Sequence, residues 1–191
     1  MRKHLAVSIF LIFLSTISYA DTSVSVQHEY YDVEGLNAMG IWNKIRRNSI
    51  ARYNGTPYSG SASYIINPNY WWDETNAKCS MKKVLFKVKY TIILPHWTNY
   101  RKVSRDWQQA WDRFYTALEA HENKHKDITI RAAKEIEASI MQLGDRESCA
   151  ELKLEADRIC RDGYKKLRQT QIKFDTDTNH GATEGVILKR D

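Results

Sequence analysis

The chain contains only three prolines in 191 residues, and no proline-rich stretch divides it. Internal repeats and low-complexity segments are absent as well, so one packed domain is expected rather than a solenoid or a string of modules. Three cysteines are too few for a disulfide-built scaffold and suggest one bond and one leftover thiol. No block of lysine and arginine occurs. The formal net charge of +6 comes from basic residues dispersed along the chain, which gives nucleic-acid binding little support. Such a balance supplies only loose, unspecific attraction to an anionic cell surface. After the apolar run at the start there is no second one, so no stable membrane span is expected.

That first run has the form of a secretory leader. Met1-Arg2-Lys3-His4 is a positive start, Leu5 to Ile17 an apolar core, and Ser18-Tyr19-Ala20 a small-x-small cleavage site. Cleavage after Ala20 would begin the mature chain at Asp21 and carry it to the periplasm or out of the cell. Residues 21–191 suffice for one well-packed domain.

Along that domain the patterning changes once. Residues 21–103 read as mainly β. The clearest strand is 82–94, where Val84, Phe86, Val88, Tyr90, Ile92 and Leu94 alternate with Lys83, Lys87, Lys89 and Thr91. This is the signature of a half-buried antiparallel strand with one solvated face, and Pro95 is expected to end it. Thr22 to Tyr31 alternates weakly, Leu36 to Ile50 has a short helical pattern, residues 53–57 make a turn, and Gly60 to Ile66 is a further strand candidate. Tyr70-Trp71-Trp72 reads as packed cover more readily than as a ligand platform.

Residues 104–191 read as mainly α. Trp107, Trp111, Phe114, Leu118, Ile128, Ala132, Ile136 and Ile140 recur at helical spacing from about 104 to 142. Ser104 or Asp106 can cap the start and Leu143-Gly144-Asp145 supplies the stop. The length leaves room for a kink. A second helix spans 148–171, followed by a polar loop from Phe174 to Gly185. The fold class expected is therefore α+β, with an N-terminal antiparallel β part packed on one long helix and a second, C-terminal helix.

The long helix carries His121-Glu122-Asn123-Lys124-His125, the H-E-x-x-H pattern. One turn apart, both imidazoles sit on the continuation of the apolar stripe and can each give a nitrogen to one Zn²⁺. Glu122 then stands beside the metal to take a proton from bound water. Burying two imidazoles without a shared partner would leave several polar atoms unsatisfied at about 1–3 kcal/mol apiece. A metal satisfies both at once.

The cysteines obey a distance limit. Cys149 and Cys160 lie on the second helix, about 16 Å apart along its axis, whereas a disulfide needs Cα atoms within about 7 Å. A bond within the chain must therefore use Cys79, and Cys79–Cys149 is favoured, with Cys160 as a buried apolar-like residue.

Several blocks taken in order resemble a known family. They are Tyr31-Asp32-Val33-Glu34-Gly35, Cys79 before a strand ending in Leu94-Pro95-His96-Trp97, His121 to His125, Cys149, and the run from Phe174 to Gly185 containing His180-Gly181. The sequence resembles a domain-of-unknown-function family whose members are described as secreted zinc-dependent proteases, zincin-like in their H-E-x-x-H motif. Glu184 stands where the family more usually has Gln. The third ligand sets the subtype. Ile128 and Arg131 exclude the metzincin continuation. His180, in the block that resembles the family, is the favoured third ligand, with Glu147, Glu151 and Glu155 as alternatives from the second helix. The resemblance thus implies a zinc metallopeptidase in which His121, His125 and His180 hold Zn²⁺ and Glu122 is the general base acting on a protein or peptide substrate. Asp175, Asp177 and Thr178 are candidates to orient the ligating rings, and His96 and Tyr164 to stabilise an oxyanion. The competing expectation is a non-catalytic cell-envelope binding module with a structural metal site.

Overall fold

The computed structural model describes residues 22–53 and 55–190; the leader and its cleavage site lie outside the described residues. In chain order the elements are β1 (Ser23–Val33), α1 (Ala38–Asn48), β2 (Arg52–Tyr53), β3 (Thr56–Pro57), β4 (Ser61–Thr75), β5 (Lys78–Trp97), a 3-10 turn (Tyr100–Lys102), α2 (Arg105–Met141), α3 (Cys149–Thr178) and a second 3-10 turn (Ala182–Glu184).

The α+β class holds, with one correction to the sheet. Its order is β1-β5-β4. β4 runs antiparallel to β5, but β1 pairs with β5 in parallel, Val24 opposite Val88 and Tyr30 opposite Leu94. The sheet is mixed rather than antiparallel. The reason is connectivity: β1 reaches its neighbour only after α1, the β2–β3 hairpin and β4 have intervened, and so long a connection imposes no hairpin direction.

β5 is the central strand, and its alternation matches its environment. Val84, Phe86, Val88, Tyr90, Ile92 and Leu94 are all buried, while Lys83, Lys87 and Lys89 point outward. Burial of each large apolar side chain contributes roughly 1.5–3 kcal/mol. Pro95 does not end the strand, which continues to Trp97. Pairing with β4 stops at Ile93 opposite Ser61, so beyond it β5 has β1 as its only strand neighbour. A missing N–H is tolerated where one side of a strand is unpaired.

α2 covers the buried face of the sheet as one uninterrupted helix of 37 residues, and α3 packs beside it. The core falls into two clusters. One joins Tyr31, Val33, Ile41, Ile45, Ile92 and Leu94 to Trp111, Phe114 and Leu118 of α2. The other joins Val84, Phe86 and Val88 to Ala133, Ile136 and Ile140 of α2 and to Leu152, Ala156 and Cys160 of α3. His121, Glu122 and His125 occupy the stretch of α2 between the two.

The Cys79–Cys149 disulfide is present, with Cα atoms 5.0 Å apart. It ties the start of β5 to the first turn of α3, beside a backbone bridge in which Cys79 and Arg146 exchange N–H···O bonds of 2.8 and 2.9 Å. Cys160 is the free thiol, buried 3.0 Å from the Tyr70 hydroxyl. No helix among the described residues is long and apolar enough to cross a membrane.

Candidate metal centre

α3 is longer than its apolar periodicity indicates. It continues through Phe174, Asp175 and Thr178 to end at Asn179, whose left-handed backbone (φ 47°) terminates the helix. The segment 174–178 is therefore the last helical turn and not a loop. The lengthened helix carries Gln171 and Asp175, one turn apart, along the face that meets His121 and His125.

Five side chains interlock there. His125 Nε2 lies 2.9 Å and His121 Nε2 3.3 Å from Asp175 Oδ1. The opposite ring nitrogens have separate partners: His125 Nδ1 is 2.5 Å from Gln171 Oε1, and His121 Nδ1 is 2.8 Å from Glu184 Oε2. The Gln171 amide has only one sensible orientation, because its Nε2 donates to the His125 carbonyl (3.0 Å) and to Thr129 Oγ1 (2.9 Å). Its Oε1 must then accept, so His125 Nδ1 carries the proton. Glu184 is likewise an acceptor: burial opposes ionisation, but the Lys124 ammonium and the His121 imidazole outweigh it and hold its carboxyl below the usual range. His121 Nδ1 therefore donates too.

With both Nδ1 atoms committed as donors, the two Nε2 atoms and Asp175 Oδ1 converge on one point. One ligand atom from each residue lies within 4.8 Å of the others. Three lone pairs facing one another require a cation between them, either protons or a metal. The metal-free protein uses protons. Burial pulls both imidazoles down, yet contact with Asp175, and with Glu184 or Gln171, prevails and raises both above the ordinary histidine value. The carboxyl of Asp175, which burial would raise, is held far below its normal range by the same two hydrogen bonds. Two nitrogens and a carboxylate oxygen on rings fixed from behind are a donor set suited to Zn²⁺.

The surroundings are apolar and tight. The Phe174 ring stacks on His121 (centroids 4.8 Å, 21°) and meets His125 edge-on at 4.9 Å. His121 and His125 are 4% and 8% exposed. Glu122 is equally buried beneath the loop before β4, where an added Cβ on Gly60 would come within 2.9 Å of its Oε1. That loop is held by Tyr31 Oη donating to the Ser59 carbonyl and by Ser49 Oγ donating to that of Tyr58. Burial pushes the Glu122 carboxyl up to about 7, against the pull of His125 and His121.

His180 stands at the rim, half exposed, its Nδ1 3.9 Å from Asp175 Oδ1 and its ring 5.0 Å from that of Tyr58. It is adjacent to the cluster without belonging to its compact set of three. Gly181 behind it has φ +80°, and a Cβ there would lie 3.1 Å from His121 Cγ and 2.6 Å from Val186 Cγ2. The His-Gly pair thus lets the chain turn tightly against the first histidine.

The remaining candidates lie elsewhere. Glu151 and Glu155 precede Asp175 by 20 or more positions on α3, about 30 Å along the axis, and Glu155 pairs with Arg146. Glu147 lies before that helix begins. Tyr164 is eleven residues from Asp175, beside Cys160 in the second core. His96 is exposed and bonded to Asp32. Asp177 pairs outward with Lys173, and Thr178 Oγ1 donates to the Phe174 carbonyl and accepts from Gly181 N–H. Gln171 and Glu184 were not foreseen as groups orienting the rings. The signal for Gln171 and Asp175 was the fourfold spacing from Leu167 (167, 171, 175), which extends the α3 stripe past its last leucine.

No curated protein and no solved structure matches this chain. A family model does, from His28 on β1 to the Gly181 beside His121, and so includes the sheet, both long helices and every residue of the cluster except Glu184. The chain belongs to the family described as "Bacterial protein of unknown function (DUF922)", matched over residues 28–181.

Proposed function

We propose that this protein is a zinc-dependent peptidase in which His121, His125 and Asp175 hold the metal and Glu122 is the general base. The single observation that carries this reading is the double commitment of the Nδ1 atoms, which turns both Nε2 lone pairs toward one carboxylate oxygen. Zinc bound there would supply Lewis-acid polarisation and would bring the pKa of water to about 7. Glu122 sits on the same turn of helix between the two ligands. Its carboxyl, raised to about 7, is matched to accepting a proton near neutral pH and passing it to a leaving amine. Phe174 covers the two imidazoles, and the loop at Gly60 covers Glu122. Asp175, with its side chain 32% exposed, marks the open side from which a peptide would approach. Secretion into the periplasm or the medium, with cleavage after Ala20, accords with the disulfide, since such bonds persist in oxidising compartments.

A second reading, the non-catalytic envelope module, has one observation in its favour. His180 lies close enough to Asp175 for a modest side-chain rotation to add a fourth ligand and close the site. Elemental mass spectrometry and peptide hydrolysis separate the two. The peptidase reading expects about one zinc per chain, loss of hydrolysis with retention of zinc in Glu122→Gln, and loss of zinc in Asp175→Ala. His180→Ala should keep the metal. If Glu122→Gln leaves hydrolysis intact, the peptidase reading fails. If His180→Ala and Asp175→Ala release zinc equally and no peptide is cleaved, the site is structural.

A further inference from the structure

The sheet has two faces, and only one is occupied over most of its length. α2 and α3 pack against the side carrying Val84 to Leu94. α1 packs at one end of the sheet, where Ile41 and Ile45 join Tyr31, Val33 and Trp97 in the cluster shared with Trp111 and Phe114 of α2. From Trp71 and Lys83 to Ser63 and Thr91, no described element lies on the outward face.

The composition of that face is unusual for a central strand. Lys87 and Lys89 are exposed, two residues apart on one side of β5 and so about 7 Å from each other. Neither makes an ion pair among the described residues. Their cross-strand neighbours are uncharged: Lys87 lies between Ser23 and Asn67, and Lys89 between Ser25 and Ile65. Glu29, at the far end of β1, is the one carboxylate at the outward positions of residues 23–29, 61–71 and 83–93. Lysines on edge strands deter aggregation, but β5 is the inner strand and needs no such protection. Like charges on one sheet face repel, and opposite charges across strands would have relieved them. Two large apolar groups lie among the lysines instead, Ile65 opposite Lys89 and Trp71 opposite Lys83. Ile65 is 60% exposed beside Lys89, and Trp71 is 45% exposed beside Lys83, whose Nζ lies 5.7 Å from its ring.

We propose that this open sheet face docks the protein on an anionic lipid bilayer. Charge complementarity selects a polyanionic partner, and the interleaved Ile65 and Trp71 select a bilayer over a soluble polyanion. Ammonium groups pair with headgroup phosphates while an indole and an aliphatic chain settle at the interface between headgroups and acyl chains. A soluble polyanion would use the lysines and leave both apolar groups in water. Docking by this face leaves α2 and α3 on the layer away from the lipid. The inference does not depend on the peptidase reading.

The test is co-sedimentation of the chain from Asp21 onward, which contains every described element, with vesicles of phosphatidylcholine alone or mixed with phosphatidylglycerol. Partition is expected only with phosphatidylglycerol and should fall as salt is raised. Lys87→Gln with Lys89→Gln should weaken partition by about fivefold per lysine, hence about twenty-fivefold together. Ile65→Ser with Trp71→Ser should weaken it at unchanged charge. Lys165→Gln with Lys166→Gln, on α3 in the other layer, should leave it unaltered. All variants change exposed side chains, and equal melting temperatures establish that the fold is kept. Absence of partition, equal loss in the α3 control pair, or binding to soluble heparin without binding to vesicles would each overturn the proposal.

Discussion

Gln171 offers the sharpest test of how the centre is held, because its effects on stability and on metal affinity can be worked separately. Its amide accepts from His125 Nδ1 and donates to the His125 carbonyl and to Thr129 Oγ1. Replacing it with Leu keeps much of the volume and removes all three bonds. Two of the groups left behind keep another partner, since Thr129 Oγ1 itself donates to the His125 carbonyl at 3.0 Å. Only His125 Nδ1–H becomes a buried donor without an acceptor, at a cost of about 1–3 kcal/mol. For a domain of this size each kcal/mol lowers the melting temperature by roughly 2–4 °C, so a fall of about 2–12 °C is expected in metal-free protein. Zinc affinity should weaken by a further, independent mechanism: the imidazole loses the acceptor that fixes its tautomer and plane, a change worth about 10–100-fold. Gln171→Glu should recover much of that affinity, because a carboxylate still accepts from Nδ1. Melting by circular dichroism and zinc competition against a chromogenic chelator measure the two effects. A Leu variant destabilised as stated but with unaltered zinc affinity would refute the argument that the Nδ1 contact sets the ligand.

Two further expectations follow from the same structure. Reducing the Cys79–Cys149 bond opens a loop of 70 residues and should cost about 4 kcal/mol on the chain-entropy account, read for Cys79→Ser/Cys149→Ser as a lower denaturant midpoint with a steeper slope, because the unfolded chain expands. The centre should also respond to pH in opposite senses with and without metal. In metal-free protein His121 and His125 are raised above the unfolded value of about 6.5. Their stabilisation is fully present below that pH and is lost as pH rises through the raised folded values. Zinc must displace those protons, so its affinity should climb over the same interval. Melting temperatures of chelator-treated and zinc-loaded protein across that range test both signs, and parallel curves would contradict them.

Much of the fold was legible from local patterning. The alternation from Val84 to Leu94 and the helical stripe from Trp107 to Ile140 each identify an element and its buried face, because side-chain direction repeats with the backbone. The spacing of His121 and His125 places both imidazoles on one side of α2 for the same reason. The limit on Cys149–Cys160 was equally local, a matter of helix rise alone. Where the chain departed from expectation, a partner distant in sequence was responsible. Pro95 continues its strand because β4 has already ended beside it, and β1 is parallel because a long connection leaves its direction free. Residues 174–178, polar and rich in Asp and Thr, have weak helical preference of their own; packing of Phe174 on the two histidines and the contacts of Asp175 hold them helical.

The sequence by itself determined that His121 and His125 share one face of α2, since the motif needs only the periodicity of one helix to bring two imidazoles together. Which third group meets them was decided in three dimensions. The crossing of α3 over α2 sets Gln171 and Asp175 against His125, and the turn at Gly181 sets Glu184 against His121. Those contacts join residues 46 to 63 positions apart, and no local regularity encodes a distance across so much chain. It arises only when two apolar stripes bury each other and bring the polar positions between them face to face.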